Sequence, residues 1–273
     1  MKKLDMHVHC DSTEPKLIKA FADCCRSNST VAALSGGLRY GGHDYAPNEK
    51  VLEICKCHTD CFVPLMRFDL WDKVDPDEVF RFRDSGARGL KFIYPYYEYD
   101  HDLYMPVYAA AEECELPVLF HTGCFYPSPA DAVWKRPVLK NMNPLNLDRI
   151  ARSFPKLRII MAHLGTRIWR REAAELVRYH SNLYTDLAGC GAWMGVGADE
   201  FAQLFAHPIY SGVPNTKLYG KLIFGSDSYV SQPTILSEAT RYYEMLLQRL
   251  NVPQEVHEAV MGKTAAEWLG ITL

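Results

Sequence analysis

The sequence predicts an α/β protein of the (β/α)8 barrel (TIM barrel) class, and two observations predict it. Eight apolar, β-rich runs recur along the 273 residues, at 4–9, 31–35, 61–68, 89–94, 117–121, 157–163, 182–187 and 221–227. Helical patterns separate them at 15–28, 48–58, 76–85, 103–115, 144–154, 167–180 and 199–206, and two more follow the last run at 233–250 and 253–269. Several runs are almost continuously apolar, as strands buried on both faces of a parallel sheet must be. Alternating strand and helix joined by right-handed crossovers closes into a barrel, here one domain over 1–273. An open doubly wound sheet fits less well. The first run leads into Cys10-Asp11-Ser12-Thr13 rather than a Gly-x-Gly-x-x-Gly turn.

Taken in order, the elements carry their own signals. In the first run alternate side chains share a face, so His7 and His9 point one way and Met6 and Val8 the other. Two helices open on Asp75-Pro76 and Asn143-Pro144, a capping residue followed by the proline whose missing N–H costs nothing there. The long connections 122–143 and 188–220 both follow strands, which places them on the mouth of a barrel.

Composition excludes several functions. Net charge is −3, and the basic cluster Arg167-Ile168-Trp169-Arg170-Arg171 is answered by Glu172 and Glu175, so nothing marks a nucleic-acid footprint. No apolar run reaches the roughly 18 residues that a membrane span needs. Asp5 and two His interrupt any signal-peptide core after Met1-Lys2-Lys3, which points to a cytoplasmic protein with its nine Cys reduced. Cys55, Cys57, His58 and Cys61 have the look of a zinc knuckle, but the helix-to-strand pattern puts them on different faces of ordinary structure.

The second observation is what stands at the strand ends. Strand one ends in His7 and His9, strand four carries Lys91, strand five ends in His121, strand six in His163 and strand eight in Asp227. In a barrel the carboxyl ends of the strands converge on one pocket, so residues scattered through the chain meet. Three neutral imidazoles and a carboxylate form a borderline ligand set, suited to zinc, manganese or iron. A metal held there brings the pKa of its water toward neutrality. Asp227 can both ligate and accept the water's proton, and His163 can polarise a substrate carbonyl.

Asp5-Met6-His7-Val8-His9, Val118-Leu119-Phe120-His121-Thr122-Gly123, Ile160-Met161-Ala162-His163-Leu164-Gly165 and Ile223-Phe224-Gly225-Ser226-Asp227 together resemble the amidohydrolase superfamily. More narrowly they resemble its amidohydrolase-related branch of lactonases, small-molecule hydrolases and metal-dependent decarboxylases. Met261-Gly262-Lys263-Thr264-Ala265 is similar to that branch's terminal Gly-Asn-Ala helix, with Lys263 in place of Asn. The resemblance implies that His7, His9, His121 and Asp227 hold a divalent metal, Zn2+ ahead of Mn2+. His163 then acts on substrate in one-metal members. Lys91 has two implied roles: a carboxylated bridge between two ions, with His121 and His163 serving the second, or a substrate-binding group. One ion is the favoured reading. Adenosine-type deaminases are set aside because Thr122-Gly123-Cys124 follows His121 where they carry a Glu. TatD-type nucleases are set aside because Lys91 stands where they carry a carboxylate.

Arg67, Tyr94, Tyr96, Tyr97, Tyr99, Phe125, Tyr126, Trp134, Trp193 and Tyr229 belong to the expected mouth, where aromatics and a few cations suit a compact organic acid or lactone. Arg67 is the candidate for a substrate carboxylate, with Tyr94 beside it. Packing of the 94–99 tyrosines under a loop is the competing expectation. The expected activity is hydrolysis of a small ester, lactone or amide. Non-oxidative decarboxylation of an aromatic or muconate-like acid is the alternative, and a metal-binding barrel without turnover the third reading. The expected partner is a small-molecule substrate, with a homo-oligomer open.

Overall fold

A computed structural model describes residues 1–36, 45–127, 129–134, 138–189, 195–206 and 215–273. Eight strands lie in one parallel sheet: β1 (Lys3–His9), β2 (Thr30–Ser35), β3 (Phe62–Arg67), β4 (Gly89–Phe92), β5 (Val118–Phe120), β6 (Ile159–Met161), β7 (Leu183–Thr185) and β8 (Ser228–Tyr229). From β1 to β7 each strand pairs with its sequence neighbour, and β8 pairs with β1. A parallel bridge between Thr185 and Leu222 joins the two ends. The sheet is a closed (β/α)8 barrel, as the alternating runs predict.

The helices described are α1 (Pro15–Ser27), α2 (Asn48–Cys57), α3 (Asp77–Ser85), α4 (Met105–Glu113), α5 (Pro129–Trp134), α6 (Leu147–Ser153), α7 (Thr166–Tyr179), α8 (Ala198–Leu204), α9 (Thr216–Tyr219), α10 (Thr234–Arg249), α11 (Gln254–Glu258) and α12 (Thr264–Leu269). Two are helices the sequence did not predict: α5 and α9 lie inside the long connections 122–143 and 188–220. The terminal pattern 253–269 is also not one helix, because a π-turn at Ala259–Lys263 separates α11 from α12.

The eighth strand differs most from its sequence signal. Only Ser228–Tyr229 forms a regular ladder, yet the run 221–227 still lies between β7 and β1. The Ile223 N–H donates to Thr185 O, the Met6 N–H to Phe224 O, and the Asp227 N–H to His7 O. The backbone groups are therefore satisfied on both sides without a continuous ladder, as buried amides require.

Strand one also breaks its predicted alternation. Pairing with β2 shifts between Asp5 and Val8, a β-bulge that inserts one residue. Met6 therefore packs with Leu4 in the cluster that fills the barrel floor, while Val8 packs in the larger core against the helices. Val31, Ala33, Val63, Leu65, Leu119, Ile160 and Ile223 complete the floor, which α12 plugs with Ala265, Ala266 and Leu269. Each buried Leu of this floor and its plug, Leu4, Leu65, Leu119 and Leu269, is worth about 1.5–3 kcal/mol, so the lower half of the barrel is a packed core and not a channel. Whatever the barrel binds must sit above it.

Candidate metal centre

Above the floor, the strand ends bring five imidazole and carboxylate side chains together, all nearly excluded from solvent: His7, His9, His121, His163 and Asp227. His7 and His9 point to the same side of β1, with ring centroids 5.1 Å apart. His163 lies 5.0 Å from His7 and 4.8 Å from His121 between ring centroids. The Asp227 Oδ1 is 3.1 Å from His9 Nε2 and 3.4 Å from His7 Nε2. The Lys91 Nζ stands 2.7 Å from His7 Nε2. The residues that sequence reasoning selected at the ends of strands one, four, five, six and eight therefore share one place.

Among the described residues, two sets of His and Asp side chains have ligand atoms that all lie within 4.8 Å of one another: His7, His9 and Asp227, and His7, His163 and Asp186. His121 belongs to neither. It approaches through His163, its Nδ1 lying 3.1 Å from His163 Nε2. The His121 Nε2 is buried and has no hydrogen-bond partner among the described residues. A buried orphan lone pair costs about 1–3 kcal/mol unless something fills its need. Nitrogen and carboxylate donors in this number, with one imidazole nitrogen unanswered, fit a divalent cation of the zinc or manganese kind.

Electrostatics favour the protonation states that a cation needs. Burial, with the Lys91 charge beside it, pushes His7 down from 6.5 to about 3, so the ring is neutral. Burial also lowers His121 and His163. Burial alone would raise Asp227, but the facing His7 ring and the His9 hydrogen bond hold it well below the usual carboxylate range. Lys91 is pushed down from 10.5 to about 8 by burial, against the pull of Asp227 and Asp186.

Asp186 escaped the sequence reading. It follows β7, and its carboxylate lies 2.9 Å from His7 Nδ1 while accepting the backbone N–H of His163 at 2.7 Å. The signal was present, since 182–187 was one of the eight runs and Asp186 stands near its carboxyl end. Asp5, conspicuous beside His7 in the sequence, is structural. Its Oδ1 accepts the N–H groups of His7 and Ser226, fastening the bulge to the eighth run, and burial raises its carboxyl to about 7.

The mouth divides the aromatic residues. Tyr229 stacks on His9 at 5.4 Å and on Tyr45 at 6.4 Å, and Tyr45 was not anticipated. Tyr94, at a positive φ of 53°, sets its ring 5.7 Å from His121 and 5.3 Å from Phe125. Tyr99 is not a mouth residue: it is fully buried and its hydroxyl donates to His121 O at 2.9 Å, so packing wins there. Tyr97 stacks on His101 and Tyr126 is exposed. Arg67 ends β3 with its Nε 3.1 Å from Asp69 Oδ1. The Trp134 side chain and Trp193 lie outside the described residues. Cys55, Cys57, His58 and Cys61 form no metal-ligating group among the described residues, and no described helix is long and apolar enough to cross a membrane.

Residues 29–271 match the family profile described as Amidohydrolase. The chain belongs to the amidohydrolase family. The match starts after β1, so the His7-x-His9 strand stands outside it. A search of curated proteins gives no match. Solved structures share the fold. An uncharacterised TIM-barrel protein from Bordetella bronchiseptica is 18% identical with a TM-score of 0.72, each chain covered to 99%. A probable 2-pyrone-4,6-dicarboxylic acid hydrolase from Acinetobacter baumannii, with citric acid bound, is 12% identical with a TM-score of 0.65, over 99% of this chain and 100% of that one. A 2,6-dihydroxybenzoate decarboxylase from Rhizobium is 13% identical with a TM-score of 0.63, over 99% of both. Amidohydrolases are generally metal-dependent, and the imidazole–carboxylate groups of this barrel suit that dependence.

Proposed function

We propose that this amidohydrolase is a metal-dependent hydrolase of a small organic ester, lactone or amide, with one divalent ion, Zn2+ ahead of Mn2+, held by His7, His9, His121 and Asp227. The carrying observation is the convergence of these side chains on one buried place with His121 Nε2 left unanswered. A divalent ion bound there supplies Lewis acidity, activating water and polarising a carbonyl. Asp227, kept ionised, accepts the proton of the attacking water. Protonated on Nε2 as well as on the Nδ1 that faces Ala188 O, His163 would donate to the substrate's carbonyl oxygen as charge develops there. Tyr94 and Tyr229 wall the entrance, and Arg67 is the cation assigned to a substrate carboxylate. As an ammonium, Lys91 cannot ligate; it donates to His7 Nε2 in the metal-free site and would give up that lone pair when His7 binds the ion. Carboxylated, it would serve a second ion, and a metal count of two per chain is the result that selects this form.

A second reading, decarboxylation of an aromatic acid at the same centre, is favoured by the fold shared with the Rhizobium decarboxylase. One experiment separates the two. Metal content is measured on protein purified without chelators, and lactones, esters and aromatic acids are then incubated in 18O-labelled water. Label in an acid product supports hydrolysis. Carbon dioxide released without label in the product selects the decarboxylase, and bound metal with no turnover on the whole panel overturns both.

A further inference from the structure

We infer that Asp186 is the positioning residue of this centre, fixing through one carboxylate and one adjoining carbonyl which nitrogen of His7, His163 and His121 carries the proton. The inference rests on the reading of the site as a metal centre and adds how its imidazoles are aimed. Asp186 Oδ2 lies 2.9 Å from His7 Nδ1. A carboxylate that is ionised only accepts, so Nδ1 carries the proton and His7 Nε2 presents its lone pair to the centre. Asp186 Oδ1 accepts the N–H groups of His163 at 2.7 Å and Ala188 at 3.0 Å. The second bond folds the chain so that Ala188 O faces His163 Nδ1 at 3.0 Å. A carbonyl also only accepts, which puts the His163 proton on Nδ1 and its lone pair on Nε2. His121 Nδ1, 3.1 Å away, must then donate, and the His121 lone pair falls on the buried, unanswered Nε2.

The same Oδ1 steadies strained backbone. His163, Leu164 and Thr166 hold φ of 66°, 44° and 55°, a conformation that costs each non-glycine residue on the order of 1 kcal/mol or more. Holding the His163 N–H lets the strand turn there and brings the ring inward. From the outside, the buried Tyr243 hydroxyl of α10 accepts the Leu187 N–H at 2.7 Å, so the carboxylate itself sits on a fixed turn.

The test uses Asp186→Asn, which keeps size and one acceptor but can offer His7 an NH2 donor. Imidazole 15N spectra of metal-free protein above neutral pH should show protonated Nδ1 on His7 and His163 in the wild type. In the variant, the His7 proton should move to Nε2, and affinity for Zn2+ alone, competed against a chromogenic chelator, should fall about 10- to 100-fold. A carboxylate with a merely structural role would not reverse the tautomer. Unchanged Zn2+ affinity with Nδ1–H retained on His7 overturns the inference. So does Nε2–H on His7 or His163 in the wild type, a readout that decides the matter even where the variant fails to fold. No substrate enters either measurement, so a failed hydrolysis assay and a failed tautomer assignment remain distinct.

Discussion

Gly123→Ala should injure the centre from outside it. Gly123 closes the His121-Thr122-Gly123 motif at a φ of +90°, and its N–H donates to Met142 O. A Cβ there would stand 2.4 Å from Thr166 Cγ2, 2.5 Å from its Oγ1 and 2.8 Å from Gly165 C. The left-handed conformation costs an alanine about 1–2 kcal/mol. Overpacking against the Gly165 backbone and a Thr166 side chain held by the Cys124 N–H adds about 1–3 kcal/mol. Their sum, about 2–5 kcal/mol, is a large part of the roughly 5–15 kcal/mol that holds a domain folded. The contact also joins the β5 and β6 turns, where Thr166 Oγ1 accepts the Cys124 N–H at 3.1 Å. Relief must therefore spread His121 from His163. Urea unfolding should show an earlier midpoint with unchanged slope, and Zn2+ affinity should drop with it. A loss below about 0.5 kcal/mol, the range of a surface change, would refute this reasoning.

Tyr99→Phe removes a buried hydroxyl from His121 O and should cost about 1–2 kcal/mol by urea unfolding without changing KM; a KM effect without a stability loss would return Tyr99 to the mouth. His7→Ala or His9→Ala should abolish metal binding by elemental analysis, whereas His163→Ala should keep the metal and lose turnover. Metal retained in both strand-one variants defeats the ligand assignment. Metal-free protein should gain stability as pH rises from roughly 4 to 6.5, because the unfolded chain protonates imidazoles that the fold keeps neutral. His7, ordinarily 6.5 and here about 3, carries this sign, and His121 and His163 share it. Asp5, raised from 3.8 to about 7, opposes it, since its contribution shrinks as pH rises through that window. Three groups outweigh one, and a melting temperature that is flat or falling across the range contradicts the balance.

The barrel was legible because eight apolar runs joined by seven crossovers leave few other closed arrangements. His7, His9, Lys91, His121, His163 and Asp227 were legible because polar chemistry at a buried strand end is costly unless used. Asp186 follows the same rule, yet a carboxylate whose partners are backbone amides and a distant ring leaves no motif in sequence. The β1 bulge was illegible for another reason. Alternation assumes one residue per pleat, and the extra residue is fixed by Asp5 bonding across to Ser226, a contact spanning 221 positions. Tyr99 and Tyr94 lie five residues apart in one aromatic stretch, and only the turn between them decides which is core and which faces the cavity.

The closure of the cylinder sets a timetable for synthesis. His7 and His9 leave the ribosome long before the carboxylate they face, which arrives 218 positions after His9. Until the eighth run slots between its two neighbours, the amino-terminal imidazoles have neither that partner nor the lateral amide bonds that hold their strand from this side. A nascent chain is therefore inert toward both cation and substrate, and competence arrives all at once, with the final seam.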